Sequence, residues 1–298
     1  MRLGAGVVVA ALLALPAQAE QLGWSLAISN DSIGQGRDRW QSSSIQFGLI
    51  RGDEWSGTAP ARFGQLLEYR LRSDILTPEI LDFPAPDDRR HAGIIAFGVH
   101  SYQSLGASEM RLGTDVVTVG PQTGLLDLQE DLHDILGFTI PQLDDFQIDD
   151  AIRGQISAEI GRTWDVGGWQ IRPFAEAQVG PEDFLRAGVD LTFGTYGQGD
   201  LLLRTATTGH RVRAIDGGMA DDGISIVLGA DAAFVDESLY LPESLGYELT
   251  DLRTRVRGGL QGNWRQFDIF YGIAWLGPEF EAQREGQLVG TLHVGLRF

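Results

Sequence analysis

Residues 287–298, QLVGTLHVGLRF, decide the fold. Leu288, Gly290, Leu292, Val294, Leu296 and Phe298 fall on one side of an extended chain. Val289, Thr291, His293, Gly295 and Arg297 fall on the other. Period-two alternation marks a strand with two unlike faces. The last strand of a soluble sandwich also alternates. This one runs for about ten residues and stops on a carboxy-terminal aromatic, which suits a lipid-facing apolar side and a polar lumen side.

The other end of the chain points the same way. It opens MRLGAGVVVAALLALPAQAEQ, with Arg2 as a basic start, an apolar run from Gly6 to Leu15, and Ala17-Gln18-Ala19 as a small-x-small cleavage site. Those are the parts of a secretory signal peptide, so residues 1–19 are set aside and 20–298 are expected to form one barrel domain. The terminal Phe298 on a secreted chain resembles the recognition signal of bacterial outer-membrane barrels. No later segment has 18 consecutive apolar residues, so a helical span is not expected.

Between the ends, similar strands recur. Leu22-Trp24-Leu26-Ile28, Ile45-Phe47-Leu49, Leu67-Tyr69-Leu71, Ile95-Phe97-Val99 and Met110-Leu112-Thr114-Val116 come first. Ile156-Ala158-Ile160, residues 169–179, Leu185 to Phe193, Ile224 to Ala230, Leu252-Thr254-Val256 and Phe267 to Trp275 follow, with the terminal strand last. Charged residues keep to one face, as with Glu68, Arg70 and Arg72, or Arg253, Arg255 and Arg257. The expectation is an all-β transmembrane antiparallel barrel of about 12 strands, an even number as single-chain barrels require. With both termini periplasmic, the extracellular connections fall near 30–41, 73–90, 120–150, 180–183, 237–247 and 277–287. The connection 195–222 is long for a periplasmic turn, and leaves the count open by one pair of strands.

Composition narrows the chemistry. There is no cysteine, so neither disulfides nor thiolate zinc sites are available. All 23 basic residues are arginine, and the net charge is −18. Such a charge speaks against nucleic-acid binding. It fits a hydrated or cation-rich surface as well as simple solubility.

One stretch breaks the strand pattern. Residues 119–137, VGPQTGLLDLQEDLHDILG, space Leu125, Leu128, Leu132 and Leu136 by three and four. Pro121 and Thr123 precede this helical run and Gly137 closes it. Gln129 and His133, one turn apart, share a face. The topology sets this short helix in the third extracellular connection, against the rim. Two other polar clusters reach the same rim: Asn30-Asp31 with Asp38-Arg39 and Ser42, and Asp87-Asp88-Arg89-Arg90-His91. Each alone has a plainer reading as turn chemistry, a solvated loop or a structural histidine. Their convergence is what suggests a site.

On these residues the sequence resembles the LpxR-type lipid A 3′-O-deacylase family of outer-membrane barrels. The resemblance lies in Asn30-Asp31, Asp38-Arg39-Trp40-Gln41-Ser42, Asp88 to Gly93, Gly113-Thr114-Asp115, and Gly120-Pro121 followed by Gln129 and His133. It runs in patches from about residue 22 to 165; beyond that only barrel strands correspond. It implies a bacterial outer-membrane hydrolase that removes ester-linked acyl chains from lipid A with calcium as cofactor. It further implies that His133 activates water, Gln129 and Ser42 support it, and Asn30 and Asp31 bind the calcium that polarises the ester carbonyl. Arg39, Arg89 and Arg90 become candidates for binding the substrate, arginine's planar fork being suited to lipid A phosphates. No Gly-x-Ser-x-Gly elbow is present, and metal chemistry needs none.

The departures from the family pattern bear on the reaction and not the fold. Gln41-Ser42 stands for the usual Tyr-Thr, and Ser44 for a glycine. The family's lysine has no counterpart in a chain without lysine. Thr139 sits near the place of an acidic residue. Two other readings therefore stand beside the enzyme: a degenerate barrel that binds lipopolysaccharide or a divalent cation without turnover, and a diffusion channel.

Overall fold

The computed structural model describes residues 19–218, 222–264 and 267–296. The signal-peptide reading of residues 1–19 falls, but for Ala19, outside the described residues, as does the terminal Phe298. Twelve long antiparallel strands form the wall: β1 (Glu20–Asn30), β2 (Trp40–Gly52), β3 (Leu66–Thr77), β4 (Ala92–Leu105), β5 (Ser108–Val119), β6 (Ala151–Gly161), β8 (Trp169–Val179), β9 (Glu182–Phe193), β12 (Gly223–Ser238), β13 (Arg253–Trp264), β14 (Phe267–Leu276) and β15 (Gln287–Leu296). A three-residue β7 (Trp164–Val166) extends the pairing of β8. Neighbours in sequence pair in order, and the sheet closes where Ala27 to Asn30 meet His293 to Gly290. Closure leaves no unpaired edge, the condition for crossing a bilayer with strands. No helix among the described residues is long and apolar enough to cross a membrane.

Burial is inverted relative to a soluble protein. Ile45, Phe47, Leu71, Phe97, Val116, Leu185 and Leu292 are exposed on the outer surface, while Ser29, Gln46, Glu68, Arg70, His100, Thr291 and His293 are buried in the lumen. The alternation read in 287–298 holds in β15: Leu288, Leu292 and Val294 lie outside, and Val289, Thr291 and His293 inside.

The 195–222 connection does contain further structure. It supplies a hairpin, β10 (Leu201–Arg204) and β11 (Arg211–Ile215), which forms a separate two-stranded sheet. The hairpin occupies the lumen. A side chain at Gly23 of β1 would collide with the Ala214 carbonyl, and one at Gly48 of β2 with Leu203. Around it runs an ion-pair network: Arg204 holds Glu159 at 2.9 Å and Asp190 at 2.7 Å, Arg172 holds Glu159 at 2.9 Å, and Arg257 holds Asp190 at 2.6 Å. Charges removed from water are tolerated here because each finds a partner.

Helix α1 (Leu125–Leu136) lies in the 120–150 connection, after a 3-10 turn at Pro121–Thr123. Gly137 ends it in the left-handed conformation (φ 72°). Its buried residues are Leu125, Leu126, Gln129 and His133, whereas Leu128, Leu132, Ile135 and Leu136 are exposed. From Leu128 onward the leucine stripe therefore faces outward, while Leu125 and Leu126 anchor the first turn and Gln129 and His133 turn inward. The segment after α1 returns along the 78–91 connection, with Gln142 N donating to Leu81 O and His91 N to Phe146 O. Leu81, Leu126 and Leu143 pack together beneath it.

Candidate functional site

The 31–39 connection is tightly wound. Asp31 O accepts from Gly34, Gln35 and Gly36 N at 2.7–3.1 Å, and Asp31 Oδ2 accepts from Arg39 N at 2.8 Å. At the start of β2, Trp40 has φ 50°, the one positive value at a non-glycine among the described residues. Such a backbone costs about 1–3 kcal/mol and persists where its surroundings hold it. Here Trp40 is buried, the Arg39 guanidinium lies 4.0 Å over its ring, and its Nε1 donates to Asp88 Oδ1 at 3.3 Å. This turn sends Asp38 and Ser42 to the same place, where Ser42 Oγ donates to Asp38 Oδ1.

Helix α1 brings His133 to that carboxylate. His133 Nε2 is 2.9 Å from Asp38 Oδ2, and His133 Nδ1 is 2.5 Å from the Thr139 carbonyl oxygen. The carbonyl requires a proton on Nδ1, which makes Nε2 the nitrogen available for acid–base work. Phe138 closes over the imidazole edge-on, with centroids 5.7 Å apart. Asp31, Asp38, Ser42 and His133 thus come from three elements to one spot, beneath a helix whose outer face is apolar.

Asp31 carries the electrostatic signature of the site. It is fully buried, and its Oδ1 has no hydrogen-bond partner. Burial, with the nearby Asp38 charge adding, pushes its carboxyl up to about 8. A buried, unpartnered carboxylate oxygen beside a second carboxylate is an environment that a hard divalent cation would relieve. Asn30 offers less, since its Oδ1 already accepts from Ser32 N at 2.7 Å and from Ser32 Oγ. Among the described residues no group of three or more His, Asp or Glu side chains is arranged to hold a metal ion on its own. Any cation here would take carbonyl and water oxygens as well. Asp31, with Asp38 close by, fits such a group; Asn30 reads as turn chemistry.

The other anticipated residues are placed differently. Gln129 is buried one turn before His133, its amide beside the His91 ring but without an aligned hydrogen bond. Arg39 is buried and committed to Glu79 at 2.6 Å and Glu285 at 2.8 Å. Arg89 is buried with Glu279 at 2.6 Å. Arg90 lies against Phe146 and reaches the Gln147 carbonyl at 3.4 Å. None of the three guanidiniums joins the group around His133. The sequence alone gives Asp38 no role, and the group next to His133 Nδ1 is the Thr139 backbone carbonyl.

The profile of the family described as "Outer membrane protein LpxR" matches residues 6–298. Among solved structures, LpxR from Salmonella typhimurium is similar with a TM-score of 0.75 and 16% identity, covering 93% of this chain and 100% of that one. The beta domain of the Bordetella autotransporter Brka has a TM-score of 0.44 at 13% identity, covering 93% of this chain and 99% of that one. No curated protein matches by sequence. With that profile matched along nearly its whole length, and folded as a closed twelve-stranded barrel, the chain belongs to the LpxR family of outer-membrane proteins.

Proposed function

We propose that this barrel is a lipid A deacylase that hydrolyses an ester-linked acyl chain at the outer leaflet, with His133 as general base. The observation that carries the reading is the meeting of His133 with Asp38, Ser42 and Asp31 under a helix that turns Leu128, Leu132 and Leu136 outward. A lipid held beside that apolar face would present its acyl ester to the polar side of the helix.

His133 Nδ1–H is anchored on the Thr139 carbonyl, so Nε2 takes the proton from a water molecule. The water oxygen bonds to the ester carbon, the ester C–O bond breaks, and the proton passes to the departing sugar hydroxyl. A free fatty acid and a de-esterified lipid result. For Nε2 to face water, Asp38 must give up its present contact with it, keeping Ser42 as its other partner. Asp31 Oδ1, with Asp38 near it, would hold a calcium ion. Bound there, calcium would polarise the ester carbonyl and offset charge on its oxygen. Buried Arg39 keeps this turn in shape through Glu79 and Glu285, a structural task and not substrate capture.

The test is purified protein with lipopolysaccharide, with calcium or with chelator, and mass spectrometry of the released fatty acid. Calcium-dependent release is expected, and no release from any acylated lipid would remove the enzyme reading. In that event tight calcium binding would favour the degenerate barrel. A diffusion channel needs a continuous water path, and the hairpin stands in the lumen. Planar bilayers are expected to show no single-channel conductance.

A further inference from the structure

Above the hairpin turn, two adjoining cavities of about 110 and 90 Å³ remain in the lumen, with Arg72, Glu182, Arg186, Ala206 and Tyr240 lining both. That is room for several waters at about 30 Å³ each, or for one tetrahedral oxyanion with its hydration. Eight arginines and six carboxylates line the two compartments, a surplus of positive charge inside a chain that is acidic overall.

The carboxylates are largely spoken for. Asp231 is held by Arg255 at 2.9 Å and by Arg257, Glu182 by Arg253 at 2.8 Å and Ser238 at 2.7 Å, and Glu279 by Arg89 at 2.6 Å. Several donors are not. Arg89 Nε, Arg111 Nε, and both Nε and Nη2 of Arg253 are buried without an acceptor, and Arg253 as a whole is nine-tenths buried. Against these stand only Asp74 Oδ1 and Ser157 Oγ as buried, unpartnered oxygens lining the same compartments. Unmet guanidinium donors outnumber unmet acceptors, and a guanidinium fork is the geometry that recognises phosphate-like groups.

The geometry points to an oxyanion-binding chamber in the barrel lumen, with Arg253 as its principal ligand, Arg72, which lines both compartments and whose Nε lies 3.2 Å from Asp74 Oδ2, beside it, and a phosphate-class anion as its occupant. The chamber lies apart from His133 but touches the parts that frame it. Gln41, between Trp40 and Ser42, lines its wall. Arg89 lines it too, next to the Asp88 that accepts from Trp40 Nε1. An occupant would tie β3 to β13 through Arg72 and Arg253.

The experiment is calorimetric titration of the folded barrel with inorganic phosphate at fixed ionic strength, with chloride as the reference anion. Saturable binding of one phosphate is expected, absent with chloride. R253Q, and R253K which keeps the charge but loses the fork, should each weaken it at least about tenfold. R153Q, at an exposed position outside the chamber, should not weaken it. Arg72→Gln serves if the Arg253 variants fail to fold. Competition by phosphorylated but not by dephosphorylated lipopolysaccharide would identify a lipid headgroup as the source, and binding of inorganic phosphate without such competition a free ion. Both outcomes support the chamber. H133A should bind phosphate as the wild type does, so loss of deacylation and loss of this site are read separately. No saturable phosphate heat, or binding indifferent to both arginine substitutions, overturns the proposal.

Discussion

Gly93→Ala is the perturbation that most directly tests how the barrel wall sets the site. Gly93 lies at the start of β4, and Gly120 N donates to its carbonyl at 3.0 Å where the chain leaves β5 for the helix. A Cβ added at Gly93 would stand 2.4 Å from Thr123 Oγ1 and 3.0 Å from Leu125 Cβ. Nonbonded carbon contacts rest near 3.5–4.0 Å, so the first turn of α1 must retreat by roughly 0.5–1 Å. Overpacking of that kind costs about 1–3 kcal/mol. The barrel absorbs little of it, because β4 is paired along both edges. The helix moves instead, and His133 moves with it, away from Asp38. Displacing a catalytic group by about 1 Å costs on the order of a hundredfold in rate. Fatty-acid release by G93A should therefore fall about tenfold to a hundredfold, with heat-modifiable migration on gels unchanged because the barrel stays intact. Wild-type release from G93A, with α1 amide protection unaltered, would refute the argument that contact with β4 positions the histidine.

Asp31→Asn removes the buried carboxylate proposed to hold the cation. Calcium binding by calorimetry should be lost and acyl release should fall by about a hundredfold or more. Arg204→Met leaves Glu159 and Asp190 short of a buried partner, and should lower barrel stability by about 3 kcal/mol, read from the urea midpoint, without abolishing acyl release. His91 gives a pH dependence. Burial holds its imidazole down at about 4, so it stays neutral in the docked structure while an undocked His91 takes a proton below about 6.5. Docking should weaken as pH falls from 6.5 toward 4, by up to about 3 kcal/mol. Hydrogen exchange of the α1 amides should accelerate over that window in the wild type and not in H91Q; a flat wild-type profile would contradict the assignment.

What could be read in the sequence followed from where each residue's environment is set. The wall strands were legible because lipid on one side and a polar lumen on the other impose period two, as 287–298 displays. The hairpin was not. Leu201 to Arg204 are buried on both faces inside the lumen, and that contrast disappears. Helix α1 was legible as a helix, but its orientation depends on surroundings the sequence does not carry. A leucine stripe packs inward in a soluble protein, and here Leu128, Leu132 and Leu136 are left outside while Gln129 and His133 turn in. His133 and Asp31 were singled out by their convergence on one rim and by the family resemblance. The role of Asp38 was not legible, since its contact with a histidine 95 positions later exists only once the helix has docked. The partners of Arg39 and Arg89 were not legible for a related reason: Glu79, Glu285 and Glu279 lie in other connections and meet these guanidiniums only in the folded barrel.

His133 is the residue proposed to activate water in the hydrolysis. The direct measurement is the rate of fatty-acid release from lipopolysaccharide by wild type and His133→Ala at saturating calcium, with both shown to be folded barrels. Removing a general base typically costs 10²–10⁴-fold, and a loss of about that size is predicted. Release by His133→Ala within a few-fold of wild type would contradict the account.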